Sequence, residues 1–273
     1  MGFFNILDPV LDFILRPLLN LGHLWFLFII SFIISIGLII VTKYLTDQKL
    51  MKELKDSIKK YQDEAKLNKS NPKKMMEIQR KTMELNLQYM KHSFKPTLYS
   101  FIPIIILFGW MSANIAYLPI KEGSNFNVSI IFEKNFNGDV TIDVPENIEL
   151  LAKKTQKTVN GKISWELSSR KEGDYELNFD INDEILTKKV LITKYLKYAP
   201  IDKREKNFID YIYGSKEGYL DRRSKAIQVI LSNKSVKPLG DISIFGWKPG
   251  WLGIYIIFSL IFTMILRKML KVY

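Results

Sequence analysis

Apolar stretches without charge alternate along the chain with strongly charged stretches. Three of the apolar stretches, residues 24–41, 98–120 and 251–266, are candidates for membrane spans. An α-helix rises about 1.5 Å per residue, and the hydrocarbon core of a bilayer is about 30 Å thick. As a helix, the first stretch is just long enough to cross this core, the second is longer than needed, and the third is short. The pattern predicts a membrane α-helical protein with three transmembrane helices.

Charges beside the spans predict their orientation. Residues 43–95, between the first two spans, carry fourteen Lys and Arg against seven Asp and Glu. Because basic loops stay on the cytoplasmic side, this segment is expected in the cytoplasm, with the N terminus outside. The tail, with Arg267, Lys268 and Lys271, is then inside. The predicted localisation is the cell membrane, as a multi-pass protein.

The N-terminal segment is apolar but broken by two prolines, after Asp8 and Arg16. This suits a helix that lies in the outer membrane interface, and a poorly ordered terminus is the alternative. The chain lacks the basic start and the small-residue cleavage site of a signal peptide. A retained membrane anchor is therefore favoured for residues 24–41.

The segment between the first two spans has a heptad pattern. Its first helix carries apolar residues at alternating spacings of three and four: Met51, Leu54, Ile58, Tyr61 and Ala65. Asn71-Pro72 predicts the start of a second helix, on which Met76, Met83 and Met90 recur every seventh residue. The pattern predicts a cytoplasmic antiparallel coiled-coil hairpin.

Methionines and lysines on this hairpin are candidate contact residues. Methionine is flexible and polarizable and suits surfaces that accept many apolar partners, which makes candidates of Met75, Met76, Met83 and Met90. The alternative places Met76, Met83 and Met90 in the seam between the two helices and leaves Met75 exposed. The lysines that could meet ribosomal RNA or lipid headgroups, or else form a solvated face, are Lys59, Lys60, Lys73 and Lys74.

From residue 125 onward the apolar period changes to two. Strands are predicted at residues 128–132, 140–144, 162–167, 175–181 and 185–193. Asn160-Gly161 predicts a type I′ hairpin turn, and Asn182-Asp183 can close another. The pattern predicts an extracytoplasmic all-β immunoglobulin-like sandwich, followed by a segment with a helix at 203–213 and a strand or helix at 226–231.

The predicted division of the chain has seven parts. They are an interfacial helix at 1–22, the first span at 23–42, the basic hairpin at 43–96, the second span at 97–120, the β-sandwich at 121–198, a linker or helical segment at 199–243, and the third span with its basic tail at 244–273. The chain has no cysteine and two histidines, which excludes disulfides, zinc fingers and a histidine-rich metal site. No cofactor and no metal are expected.

Polar residues inside the spans are the remaining candidates for a site. They are Ser31, Ser35, Thr42, Ser100, Ser112, Asn114, Ser259 and Thr263. Residues i and i+4 share a helix face, so the first and third spans can each present one polar stripe. The alternative is that Ser and Thr bond their own helix backbone. Asn114, whose amide needs external partners, is the strongest single candidate.

Five short motifs in the hairpin, the second span and the C-terminal segment form a recognisable series. They are LMKELK at 50–55, NPKKMM at 71–76, FIPIIILFGW at 101–110, FGWKPGWLG at 245–253 and ILRKMLKVY at 265–273. In these motifs and in their order the chain resembles the YidC-type membrane insertase superfamily. Within it, the chain looks most like the archaeal YidC-like family, and it is also similar to subunit three of the endoplasmic reticulum membrane protein complex.

The resemblance implies an insertase or chaperone with a groove open to the cytoplasm and the lipid, lined by the polar span residues, and working without nucleotide hydrolysis. Its partners would be hydrophobic segments of nascent membrane proteins and the lipid bilayer, and a ribosome and a further membrane subunit are left open. Bacterial members have an arginine within the groove. Here no span contains a charge, and Arg16 lies in the preceding helix.

Other functions compete with this interpretation. The first alternative is a membrane-anchored scaffold that binds a partner through its outer β domain. An enzyme is disfavoured, because the sequence has no P-loop and no nucleophile with a base. A channel is disfavoured as well, because three spans without charged rings make a poor pore.

Overall fold

A computed structural model describes residues 7–68, 70–133, 136–182, 184–206 and 217–272. The chain forms two compact units. The helical unit consists of residues 24–105 and 252–273, and the β unit consists of residues 1–23 and 106–251.

The helices are α1 (Asp8–Leu19), α2 (His23–Leu45), α3 (Gln48–Leu67), α4 (Pro72–Ile115) and α5 (Trp251–Leu270). Three of them, α2, α4 and α5, are long and apolar enough to cross a membrane. The prediction of three transmembrane helices is confirmed, and the protein is a multi-pass membrane protein. The third helix extends beyond the predicted residue 266, because the basic residues Arg267 and Lys268 form its last turn.

Helix α4 is continuous over 44 residues and includes both Pro96 and Pro103. The predicted boundary between hairpin and span at residues 96 and 97 is therefore not a break in the backbone. The predicted end of the second span at residue 120 is wrong, because the helix stops at Ile115. Beyond it the backbone bonds to the β unit: Leu118 N–H donates to the Lys234 carbonyl at 2.8 Å, and Thr193 N–H donates to the Ile120 carbonyl at 2.9 Å.

The β unit contains two antiparallel sheets. Its strands are β1 (Asn125–Phe132), β2 (Asp139–Asp143), β3 (Ile148–Leu150), β4 (Thr155–Lys157), β5 (Lys162–Ser169), β6 (Gly173–Ile181), β7 (Glu184–Ile192), β8 (Asp202–Arg204) and β9 (Ala226–Leu231). One sheet has the order β3-β5-β1-β9-β8 and the other the order β4-β2-β6-β7. The prediction of a separate β domain is confirmed.

Alternating side chains from both sheets fill one hydrophobic core. Trp165 on β5 and Phe179 on β6 are fully buried there, with ring centroids 5.5 Å apart. The turn before β5 has φ of 52° at Asn160 and 71° at Gly161, the left-handed pair that a type I′ turn requires. Asn182 is also left-handed, at 45°, and its neighbour Asp183 lies outside the described residues.

The segment predicted as a linker, residues 199–243, instead completes the first sheet. Strand β9 pairs with β1, and β8 pairs with the other edge of β9. Val229 and Leu231 are buried two residues apart, which is the period of a strand rather than of a helix, and the register shifts where Ala226 pairs with Phe132. The predicted helix at 203–213 is wrong at its start, which lies in β8, and residues 207–213 lie outside the described part of the chain.

A buried ion pair links β7 to the chain beyond residue 216. Lys188 on β7 donates to the Glu217 carboxylate and to the Pro200 carbonyl at 2.6 Å. The other Glu217 oxygen accepts from Lys189 N–H at 2.5 Å. The Lys188 and Glu217 side chains are 0% and 1% exposed. Burial lowers the pKa of Lys188, and the nearby Glu217 carboxylate opposes that effect.

We expect Lys188→Met to lower the free energy of unfolding by about 3–5 kcal/mol, because it leaves the Glu217 carboxylate buried without its counter-charge. Replacing both partners, as Lys188→Met with Glu217→Leu, should recover much of that loss. Lys189→Met changes the adjacent exposed lysine and should cost less than about 0.5 kcal/mol. Denaturant unfolding of the full chain in detergent, followed by fluorescence, measures all three. Equal losses for both single lysine variants would contradict the assignment.

Candidate functional site

A closed ring of hydrogen bonds joins α1 to the last turns of α4. The Asp12 carboxylate accepts from the Trp110 indole N–H at 2.7 Å and pairs with Arg16 at 3.0 Å. The Arg16 guanidinium donates to Asn114 Oδ1 at 3.2 Å, and Asn114 Nδ2 donates to the Trp110 carbonyl at 2.8 Å. We call these four residues the polar clasp.

The sequence positions the polar clasp through two pairs at helical spacing. Asp12 and Arg16 lie one turn apart on α1, and Trp110 and Asn114 lie one turn apart on α4. Leu15 and Leu19 are buried on the same helix as the charged pair. The opposite face of α1 exposes apolar residues, Val10, Phe13 and Ile14. Helix α1 is thus amphipathic, with its polar pair committed to α4.

The polar clasp changes what the sequence implied about charge. No charged residue lies within the apolar spans, yet Arg16 brings its guanidinium into contact with Asn114 on α4. Asp12 balances that charge, and both side chains remain a little over one-quarter exposed. Both the Oδ1 and the Nδ2 atom of Asn114, the strongest candidate from the sequence, are hydrogen-bonded within the protein in this conformation. The i,i+4 spacing of Asp12 and Arg16 is the sequence signal for their own ion pair, and it does not predict the contact with Asn114.

In the helical unit, the serines of α2 face inward. Ser31 and Ser35 are fully buried, and the Ser31 hydroxyl lies 3.5 Å from the Tyr255 carbonyl of α5. Within the described part of the chain, the buried Ser35 hydroxyl has no hydrogen-bond partner. On α5 the Ser259 hydroxyl is buried, and Thr263 is half-buried.

Aromatic rings pack α2 and α5 together. Phe28 meets Phe258 and Phe262 edge to face, at 5.4 and 5.0 Å between centroids, and Phe32 meets Phe262 at 5.2 Å. Such edge-to-face pairs add to the packing energy without any polar contact. The two helices therefore share an aromatic contact as well as the buried serines.

The other predicted polar residues are used locally. The Thr42 hydroxyl donates to the Leu38 carbonyl at 2.8 Å, and the Ser100 hydroxyl to the Thr97 carbonyl at 3.0 Å, which is the backbone bonding that the alternative described. Ser112 belongs to the β unit, has an exposed side chain, and accepts through its carbonyl from the Tyr198 hydroxyl at 2.7 Å. Burial raises the pKa of Tyr198, which keeps this donor protonated.

On α4, a row of apolar side chains faces away from α3. Its members, Met76, Met83, Leu87, Met90 and Phe94, are between 59% and 72% exposed. We call them the exposed methionine row. Further along the same helix Leu98, Phe101 and Ile102 are also exposed, so the apolar surface continues into the candidate span.

The placement of Met76, Met83 and Met90 in the hairpin seam is therefore wrong, and so is the exposure of Met75. The buried or half-buried row on α4 is Met75, Ile78, Thr82, Leu85 and Tyr89. Contacts on that side orient α4: Lys74 pairs with Glu64 at 3.6 Å, and the Lys81 amine lies 5.8 Å from the centre of the Tyr61 ring. Both rows have heptad spacing and lie one residue apart, so spacing alone could not decide between them.

The predicted basic contact residues lie on the surface of the helical unit. Lys59, Lys60 and Lys73 are exposed, and Lys74, also exposed, is paired with Glu64. Among the described residues, no group of three or more His, Asp or Glu side chains could hold a metal ion.

Residues 8–136 match the model of a family described as integral membrane protein EMC3/TMCO1-like. The matched region begins with the first residue of α1 and includes α2, α3, α4 and β1, and so it contains both the polar clasp and the exposed methionine row. Comparisons with curated proteins and with solved structures find no match. Over residues 8–136 the chain is similar to the EMC3/TMCO1-like family of integral membrane proteins, and that family is related to the YidC-type insertase superfamily that the motifs of this chain resemble.

Proposed function

We propose that the protein is an insertase or chaperone that assists the entry of hydrophobic segments of nascent membrane proteins into the bilayer, without nucleotide hydrolysis. The family relation supports a role in membrane insertion. The observation that carries the proposal is the exposed methionine row, because it lies on a helix that continues without a break into a membrane span.

An exposed apolar row of this extent is costly in water and marks a surface for apolar partners. Methionine adapts its unbranched side chain to partners of different shape, which suits clients of varied sequence. A client segment held on the row would lie beside Leu98, Phe101 and Ile102, where the same helix enters the membrane. Its own residues would supply the free energy of insertion, about 0.3–0.6 kcal/mol for each central Leu, Ile, Phe or Val.

The proposal includes an orientation. The basic balance of residues 43–95 puts α3 and the first half of α4 in the cytoplasm as an antiparallel coiled coil, with the N terminus outside and the C terminus inside. The β unit, as an immunoglobulin-like sandwich, is then outside. The lysines Lys59, Lys60 and Lys73 would face the ribosome or lipid headgroups, and a further membrane subunit would complete the path.

The proposed client groove uses the polar span residues. Ser31, Ser35 and Ser259 bring buried hydroxyls to α2 and α5, and the Ser35 hydroxyl gains a partner once water or a client amide reaches it. In the β unit, Asn114 becomes free for a client only when Arg16 releases it. Within the helical unit, the buried hydroxyls support a polar path that opens during insertion rather than one that is permanently open.

A membrane-anchored scaffold that acts through its β unit is the second candidate function. The separate hydrophobic core of that unit favours it, since such a domain can carry a binding surface of its own. The two functions differ in whether the helical unit touches nascent chains.

A photo-crosslinking residue at Met83 should capture a ribosome-tethered nascent membrane protein in native membranes, because that side chain is exposed on the row. The matched control is Leu85, two residues away and half-buried in the other row, where capture should be much weaker. Capture at neither position, with folded protein and bound ribosomes, would favour the scaffold.

The double substitution Met83→Gln with Met90→Gln should reduce the insertion of a weakly hydrophobic client by about a hundredfold. Each methionine buried against a client contributes about 1.5 kcal/mol or more, and 1.4 kcal/mol is a tenfold change. Glycosylation of a tagged client in reconstituted vesicles measures insertion.

The matched control for this variant is Met269→Gln, which changes an equally exposed methionine outside the row. It should leave insertion unchanged. Equal losses for the two variants, or no loss for the double variant, would contradict a role of the row in capture.

A further inference from the structure

The segment between β9 and α5 is tied to the ends of two membrane spans. Val236 N–H donates to the Ala116 carbonyl at 2.9 Å, and Ala116 is the residue after the end of α4. Leu118 N–H donates in turn to the Lys234 carbonyl at 2.8 Å. At the other end, Trp251 begins α5 and its ring lies 6.1 Å from that of Phe108 on α4. Residues 237–250, which we call the span-end loop, are therefore held at both ends where helices leave the membrane.

A tight turn occupies the middle of the span-end loop. Ile244 and Trp247 exchange backbone hydrogen bonds of 2.8 and 3.0 Å. The two residues between them are left-handed, with φ of 51° at Phe245 and 81° at Gly246. A bulky side chain such as that of Phe245 is unfavourable in this region, and structures that keep one there often use it for function.

The turn holds its apolar side chains away from the protein. The Phe245 side chain is fully exposed, that of Ile242 is 65% exposed and that of Trp247 is 54% exposed. Of the three charged residues of the loop, Lys248 pairs with Asp241 at 2.9 Å, and Lys237 stands at the start of the loop, eight residues before Phe245. The tip of the loop thus combines three exposed apolar groups with one ion pair. Such a surface is unfavourable in water and favourable in the boundary layer of a bilayer.

We propose that the turn at Phe245 inserts into the headgroup and acyl boundary of the lipid bilayer, on the side where the β unit lies. Phe245 is six residues before Trp251, and a chain extends at most about 3.6 Å per residue, so the tip lies within about 22 Å of the span. Aromatic side chains are favoured in that layer. The inserted tip fixes the depth at which α5 enters the membrane. This proposal does not depend on client binding by the methionine row.

The chain contains no cysteine, which permits a clean test by spin labelling of the full-length protein in phosphatidylcholine and phosphatidylglycerol vesicles. A nitroxide at Phe245→Cys should be several-fold more accessible to oxygen, which concentrates in lipid, than to a water-soluble nickel complex. Ile242→Cys should behave in the same way, and it avoids the left-handed position.

The matched control is Val159→Cys, which is 69% exposed. Val159 is two residues before Gly161, whose carbonyl accepts a hydrogen bond from Phe132 at the C-terminal end of β1. The N-terminal end of β1 is the one that follows α4, so Val159 lies at the end of the strand away from the membrane helix. A label there should favour the nickel complex. Nickel accessibility at Phe245 and Ile242 equal to that at Val159 would overturn the proposal. A label that is immobile in native membranes but water-exposed in pure lipid would overturn it as well, by assigning the tip to a protein partner.

Discussion

Helix α4 is a single helix of which one part lies in water and another part is apolar enough to cross the membrane. Over its 44 residues the backbone is helical throughout and lacks a donor only at Pro96 and Pro103, and this internal hydrogen bonding allows the same element to leave the aqueous phase and cross the membrane. Only one face of α4 can pack against α3, and the buried or half-buried row from Met75 to Tyr89 lies on that face. The exposed methionine row follows from that arrangement, because this second apolar row stays exposed among the described residues of the helical unit.

The end of α4 is fixed by different chemistry. Asp12 and Arg16 meet Trp110 and Asn114 there, so a charged pair that would be costly in lipid is neutralised and hydrogen-bonded. The same turns of α4 receive Tyr198 from the β unit, through the carbonyl of Ser112 and the N–H of Ala116. Polar contacts thus hold the last part of the helix, whereas apolar surface dominates its middle.

Short-range periodicity was enough to predict the spans and most strands. The alternation that defines β1, β5 and β6 is local, as is the Asn160-Gly161 turn, and each was visible before the structure. The predictions that were wrong, for the methionines of α4 and for the end of the second span, were choices between sequence patterns that fit equally well. Two heptad rows one residue apart differ only in which one meets α3, and residues 116–120 are as apolar as a span but bond to Lys234 and Thr193 instead. The Lys188–Glu217 pair and the Arg16–Asn114 bond join residues far apart in sequence, for which a single sequence carries no signal.

The backbone pairing of residues 116–118 with 234–236 places the chain that leaves α4 beside the chain that leads, after the span-end loop, into α5. The β strands between these two segments therefore form an insertion whose first and last residues lie side by side. A domain attached in this way can be enlarged, exchanged or reduced to a short turn during evolution without moving either helix. The membrane part of the protein and its β domain are therefore separable modules, and the family likeness, which stops at residue 136, ends inside the β domain just after β1.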